Sequence, residues 1–252
     1  MPQPYSLTVH SNESLTPNMR RVVLTGDDLA DFPDDQESGY VKLLLGGDPE
    51  KPLRRTYTIR RFDPSLRHLT LDFVDHGDGG PASAWVRRAQ PGDDITIAGP
   101  GAKKLVDNAA DWFLIAGDMS ALPAISVNLE QLPEQARGYA LIEIVDEADR
   151  IDLKVPAGVD LQWIVNPRSD EPNVPLIERL RSVEWLAGQP YVWFAGEFSA
   201  MRQVRRYIRD ERGVPRKSMY LSCYWKLGDT DEGMKIAKRE DALEDEAATA
   251  TA

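Results

Sequence analysis

Side chains that crosslink chains or hold metals are scarce in this 252-residue sequence, which has one cysteine, Cys223, and three histidines. A lone thiol excludes an internal disulfide and any iron–sulfur cluster held by four cysteines of this chain. It suits a reducing compartment. Positive charge is also in deficit: 30 Lys and Arg stand against 41 Asp and Glu, a formal net charge of −11. That balance argues against general affinity for nucleic acid or an anionic membrane. No apolar run reaches ~18 residues, the length that marks a membrane span. Met1-Pro2-Gln3-Pro4-Tyr5 lacks the basic start and apolar core of a signal peptide. The expected location is the cytoplasm, and the expected partners include neither nucleic acid nor membrane.

What is present is ordinary for a globular protein, with 42% hydrophobic and 28% charged residues. The length allows one large or two ordinary domains. Charge is uneven, since eight acids and three bases lie between Asp229 and the C-terminus. That last stretch reads as an acidic helix or tail, helical from Asp231 to Glu246.

Up to about residue 108 the pattern is of short strands punctuated by Gly and Pro. Residues 5–10 and 20–25 read as strands joined by a loop containing Pro17, and Tyr40–Leu45 as a strand ended by Gly46-Gly47. Leu69–Val74 and Asp94–Ala98 alternate as half-buried strands do, with a short helix from Ala82 to about Ala89 between them. Such a run points to a small antiparallel barrel. Beyond it, Trp112–Ala116 is continuously apolar, as in a strand buried on both faces. Helices at 122–131, 176–186 and from Ser199, as cap, to Arg209 then alternate with strands at 138–145, 161–165, 191–196 and 219–225. Alternation of this kind calls for a parallel, three-layer α/β sheet.

The stretch from Arg54 to Trp85 carries the clearest chemistry. Arg55-Thr56-Tyr57-Thr58-Ile59 places a guanidinium and a phenol on one face of a strand. The first matches phosphate in a two-pronged geometry, and the second covers an aromatic ring at low entropic cost. Gly80-Pro81-Ala82-Ser83 then enters a helix, where backbone N–H groups can receive a diphosphate. Asp72-Phe73-Val74, His76-Gly77 and Trp85 lie between or beside these segments.

These motifs and their order resemble the siderophore-interacting proteins, the bacterial ferric-siderophore reductases of the ferredoxin–NADP reductase superfamily. The resemblance also rests on Leu15-Thr16-Pro17-Asn18-Met19-Arg20-Arg21, Pro91-Gly92-Asp93, Ala116-Gly117-Asp118 with Ala121-Leu122-Pro123-Ala124, Ala195-Gly196-Glu197, and Tyr224-Trp225-Lys226 with Gly228. It implies a two-domain, ferredoxin-reductase-like fold. An FAD-binding antiparallel β-barrel would occupy residues 1–108, an NAD(P)H-binding α/β domain 109–228, and an acidic helix or tail 229–252. For the cofactor it implies Arg55 at the flavin phosphate, Tyr57 against the ring system with Thr58 hydrogen-bonded to it, and Gly80, Pro81, Ala82 and Ser83 at the diphosphate. Ile59, Asp72, Phe73, Val74, His76 and Trp85 complete the barrel side. Gly117, Asp118 and Ser120, with Gly196, Glu197 and Trp225, would face the flavin or the nicotinamide.

The substrate implied is a ferric siderophore, a small and sometimes anionic iron chelate, met by Lys42, Lys103, Lys104 and Lys226. Electrons would pass from NADH or NADPH, or from ferredoxin, through FAD to Fe(III), with release of Fe(II). Asp146 and Glu147 at the end of a strand would repel a 2′-phosphate and favour NADH. No residue is expected to act as a catalytic acid or base, none to bind metal directly, and the chain is expected to be a monomer. Alternatives are an NAD(P)H:flavin or ferredoxin-type electron-transfer reductase, and a siderophore-binding protein without turnover.

Overall fold

Alternation of apolar and polar side chains organises the first strand, β1 (Pro4–Thr16), which buries Tyr5, Leu7 and Val9 and turns the residues between them outward. This is the period-two pattern of a sheet with one covered face. The structure, a computed structural model, describes residues 4–48, 51–75, 80–167 and 170–250. β1 is followed by β2 (Met19–Thr25), β3 (Tyr40–Asp48), β4 (Lys51–Asp63), β5 (His68–Val74) and, after helix α1 (Pro81–Arg88), β6 (Asp94–Gly101). The six strands close an antiparallel barrel in the order β1-β2-β5-β4-β3-β6. Closure leaves no edge strand to template aggregation.

Val22, Leu24, Val41, Leu43, Ile59, Leu69, Leu71, Phe73 and Ile97 fill the interior. Each such side chain contributes roughly 1.5–3 kcal/mol by leaving water. Tyr5, Phe32 and Phe62 meet edge-on at 5.2 and 5.0 Å between neighbouring centroids, and Val86 of α1 packs against the same core.

Several strands run longer than their apolar segments. β3 continues through Gly46, whose φ of 60° marks an irregular register against β4. The expected loop around Pro17 is instead a two-residue turn between β1 and β2. Hydrogen bonding to the neighbouring strand, which apolar patterning does not report, holds these extensions.

The second half contains β7 (Trp112–Gly117), α2 (Leu122–Gln131), β8 (Arg137–Ile144), β9 (Gly158–Val165), α3 (Val174–Ser182), β10 (Pro190–Glu197), α4 (Phe198–Arg205), β11 (Met219–Trp225) and α5 (Asp231–Ala250). The strands form a parallel sheet in the order β11-β10-β7-β8-β9. Every residue of β7 is buried. Trp112, Leu114 and Ala116 face the layer of α3 and α4, while Phe113 and Ile115 face that of α2. The chain turns back at the β7/β10 boundary, which makes that point the natural crevice for a ligand.

Two helix expectations are corrected. Ser199 does not cap α4; Glu197 does, accepting from the N–H groups of Ser199 (2.5 Å) and Ala200 (3.1 Å). α3 ends at Ser182, because Val183 is extended and Trp185 and Leu186 fold back onto the core.

The acidic C-terminal segment is a helix docked on a basic one. Arg205 binds Asp241 at 2.5 Å, Arg202 binds Glu244 at 3.1 Å, and Arg209 binds Asp245.

The two halves are joined by specific contacts. Asp149, fully buried, accepts from Thr16 Oγ1 (2.7 Å), Asn18 N (3.0 Å) and Asn18 Nδ2 (2.8 Å) of the β1–β2 turn. Met19 beside it packs into the cluster around Ile115 and Ile125. Arg60 on the outer face of β4 pairs with Glu130 of α2. The Trp193 indole donates to Lys104 O at 2.8 Å.

Candidate functional site

A cleft of about 570 Å³ opens between the barrel, the start of α1 and the end of β11. β4 supplies Arg55 and Tyr57, α1 supplies Gly80, Pro81, Ala82 and Ser83, and β11 with its continuation supplies Tyr224, Trp225, Lys226 and Leu227. Asp229 and Thr230, just before α5, and Met234 of α5 complete the wall.

Strand geometry explains the barrel's share. Arg55 and Tyr57 lie two residues apart on β4, so both side chains emerge on one face. Tyr57 leans on Phe73, with ring centroids 4.1 Å apart and planes tilted by 35°, and Phe73 backs in turn onto Trp85 at 5.7 Å. Burial pushes the Tyr57 hydroxyl well up, with Arg55 pulling the other way, so the phenol stays neutral. Gly80 precedes α1 with a φ of 129°, in the region that favours glycine. Pro81 occupies the first helical position, and no acid stands in the first turn. The helix start therefore keeps its positive end facing the cleft.

Thr58 points to the opposite face of β4, towards the Tyr224 hydroxyl, which Tyr220 also approaches. Burial raises Tyr224 well above the ordinary phenol range, with Tyr220 acting in the same direction.

Behind Trp225, the carboxyl ends of the parallel strands are tied together by carboxylates. Asp118 Oδ2 accepts the Trp225 indole N–H at 2.8 Å, and Oδ1 accepts Ser120 N and Oγ at 2.9 and 2.5 Å. Glu143 Oε1 accepts Asn173 N (2.8 Å), Asn173 Nδ2 (2.9 Å) and Asn166 Nδ2 (3.2 Å), while its buried Oε2 has no partner among the described residues. Asn173 Oδ1 accepts Glu197 N at 3.0 Å, and Glu197 Oε1 accepts Leu227 N at 3.2 Å. Gly196 lies in the middle: a Cβ there would sit 2.7 Å from Asn173 Oδ1 and 3.0 Å from Asp118 Oδ2. Cys223 beside it is fully buried, which pushes its thiol up to about 11.

Of the residues expected at the cofactor, Arg55, Tyr57, Gly80, Pro81, Ala82, Ser83 and Trp225 meet on the cleft. Gly117, Asp118, Ser120, Gly196 and Glu197 form the sheet edge behind it. Ile59 and Phe73 lie inside the barrel, and Val74 packs at the junction of the two halves. Asp72 is held in a two-pronged pair with Arg21, both bonds 2.7 Å. His76 lies outside the described residues.

The four lysines divide. Lys226 is bound to Asp229, and Lys103 to Asp35, each at 2.8 Å. Lys104 places Nζ 5.6 Å from the Tyr220 ring centroid. Lys42 pairs in register with Thr56 and Ala98 on the outer face of β3, two residues from Tyr40.

Sequence reasoning missed Glu143, Asn166, Asn173 and Asp149. Glu143 carried a signal, as a carboxylate inside the apolar run from Tyr139 to Val145. The asparagines carried none, because their role depends on where the chain after β9 returns.

Comparison with known proteins agrees with this geometry. Residues 110–228 match the family model described as "Siderophore-interacting protein". Residues 8–51 and 46–104 match "Siderophore-interacting FAD-binding domain". The ferric vibriobactin reductase ViuB of Vibrio cholerae is 35% identical over 85% of this chain and 86% of its own. The crystal structure of the siderophore-interacting protein SipS from Aeromonas hydrophila superposes with a TM-score of 0.85 at 36% identity, covering 96% of this chain and 99% of that one. Ferredoxin–NADP+ reductase from Plasmodium falciparum shares the fold, with a TM-score of 0.67 at 15% identity over 88% of this chain and 96% of that one. A two-domain ferredoxin-reductase-like architecture, likeness to SipS over nearly the whole chain and to ViuB over 85% of it, and both family models place this chain in the siderophore-interacting protein family.

Proposed function

We propose that the protein is a cytoplasmic, FAD-dependent ferric-siderophore reductase that draws electrons from NAD(P)H and releases iron as Fe(II). One observation carries this reading: a single cleft joins a cation, a neutral phenol and an acid-free helix start from the barrel to Trp225 and Lys226 at the end of the parallel sheet. Residues of this kind fit FAD. Arg55 and the N–H groups at the start of α1 would hold its diphosphate, Tyr57 would cover the ring system, and Thr58 would line the far side. Bound FAD supplies the conversion between a two-electron hydride donor and a one-electron acceptor.

The remaining work falls to the chain itself. The barrel and the sheet hold the cleft walls at a fixed separation through Asp149, Met19 and the Arg60–Glu130 pair. Gly196 and the Asp118–Ser120 turn lie at the topological switch point, where a nicotinamide donor would enter. Lys42 and Lys104 are further candidates to contact the chelate, whatever its charge, and the iron stays held by the siderophore as substrate. On this reading residues 1–108 form the FAD domain, 109–228 the NAD(P)H domain, and 229–252 an acidic helix closing the cleft of a monomer.

NADH is the favoured donor. At the end of β8, Asp146 caps a short helical turn, and Arg150, the cation of that turn, is bound to Glu147 at 2.5 Å and so is already opposed by a carboxylate. The test is anaerobic stopped-flow with FAD-loaded protein: NADH should bleach the flavin faster than NADPH. Preference for NADPH or reduced ferredoxin would reject the donor assignment.

A further inference from the structure

The charge at the end of β11 is balanced in a way that the family pattern of lysines does not foretell. Lys226 Nζ lies 2.8 Å from Asp229 Oδ2, and the two side chains are 34% and 27% exposed. Asp229 Oδ1 accepts Thr230 N at 2.8 Å, which fixes the carboxylate towards the lysine. Both residues line the cleft that Arg55 shares. Asp229, by its hydrogen bond, holds the Lys226 ammonium above its ordinary range, with Glu240 and Glu197 adding to it. This cation therefore faces three carboxylates. Lys103 is likewise held by Asp35 at 2.8 Å. Two of the four lysines expected at the substrate thus carry a carboxylate in direct contact, whereas Lys42 and Lys104 have no ion pair with the described residues.

A ligand of high negative charge gains from Lys226 only what Asp229 does not cancel, and it is repelled by Asp229 itself. A neutral ligand is indifferent to both. Ferric siderophores span this range: iron(III) with three catecholate dianions is a trianion, and with three hydroxamate monoanions it is neutral. We propose that Asp229 is a specificity-determining residue, and that by neutralising Lys226 it directs this site to ferric siderophores of low charge, the tris-hydroxamate class, over tris-catecholates. This rests on the reductase reading and narrows its substrate.

The test uses oxidised, FAD-loaded protein without NADH, so that binding is separated from reduction. Quenching of tryptophan fluorescence, to which Trp225 on the cleft wall contributes, is followed on titration with a neutral ferric tris-hydroxamate and a trianionic ferric tris-catecholate. Wild type should bind the hydroxamate more tightly. Asp229→Asn keeps the acceptor for Thr230 N and removes the charge. It should tighten the catecholate about tenfold at low salt, less at high salt, and shift the hydroxamate less than about twofold. In Asp229→Asn/Lys226→Ala the gain should largely disappear. Tighter catecholate binding by wild type, or equal shifts for both ligands in Asp229→Asn, would overturn the assignment of Asp229 while leaving the reductase reading intact. Failure of both chelates to bind any of these proteins would overturn the reductase reading and this inference with it.

Discussion

The two walls of the candidate site are built differently. The barrel wall presents Arg55, Tyr57 and the start of α1 to an open cleft. The sheet edge behind Trp225 presents almost nothing: Asp118, Glu143, Asn173 and Glu197 bind one another, the backbone and the indole. Polar groups on an open cleft are accessible to a ligand, whereas buried ones bonded to one another rigidify the frame that positions it. The first wall should thus be costly to function and cheap to stability when altered, and the second costly to stability.

The largest expected effect is at Gly196. Replacement by alanine would drive Cβ to 2.7 Å from Asn173 Oδ1 and 3.0 Å from Asp118 Oδ2. A stability loss of about 3 kcal/mol in urea unfolding is expected; a loss within ~0.5 kcal/mol would show the edge to be looser than its hydrogen bonds imply. Trp225→Phe keeps an aromatic ring but removes the donor to Asp118 Oδ2, and should cost about 1–1.5 kcal/mol.

A smaller effect depends on pH. Burial holds the Glu143 carboxyl above its ordinary 4.5, against hydrogen bonds from Asn173 and Asn166 and with Asp118 adding to the rise. Between the ordinary value and the raised one, the folded protein binds a proton that the unfolded chain has lost. The stability from that proton is full below the ordinary value and is lost as pH rises through the folded one. Glu143→Gln should flatten this part of the stability–pH curve, and an unchanged slope would remove Glu143 as its source. Smallest in stability is Arg55→Ala, which should unfold within ~0.5 kcal/mol of wild type when flavin-free yet retain far less FAD on purification. Full flavin content in that variant would dissolve the contrast between the walls.

The contrast also marks what was legible in the sequence. Arg55, Tyr57 and Gly80–Ser83 act through local geometry, strand alternation and a helix start, and short segments display both. Trp112–Gly117 showed its burial through unbroken apolar character. The sheet edge depends on chain returns: Asn173, in the left-handed region with a φ of 61°, reaches Glu143 only once β9 and α3 are placed. Asp149 reads as one more acid until the β1–β2 turn delivers Thr16 and Asn18 to it. The acidic helix α5 was legible as a helix but its docking was not, because its partners, Arg202, Arg205 and Arg209, lie some 36 to 42 residues away. Lys226 was legible as a cation and Asp229 as an acid, but not their pairing.

The most direct test of the central claim is the visible absorbance of the FAD-loaded protein in an anaerobic cell with an Fe(II)-specific chelator. NADH followed by a ferric tris-hydroxamate should bleach the flavin bands, restore them, and yield two Fe(II) per flavin reoxidised. Bands that bleach with NADH but are not restored by any ferric siderophore would contradict the account.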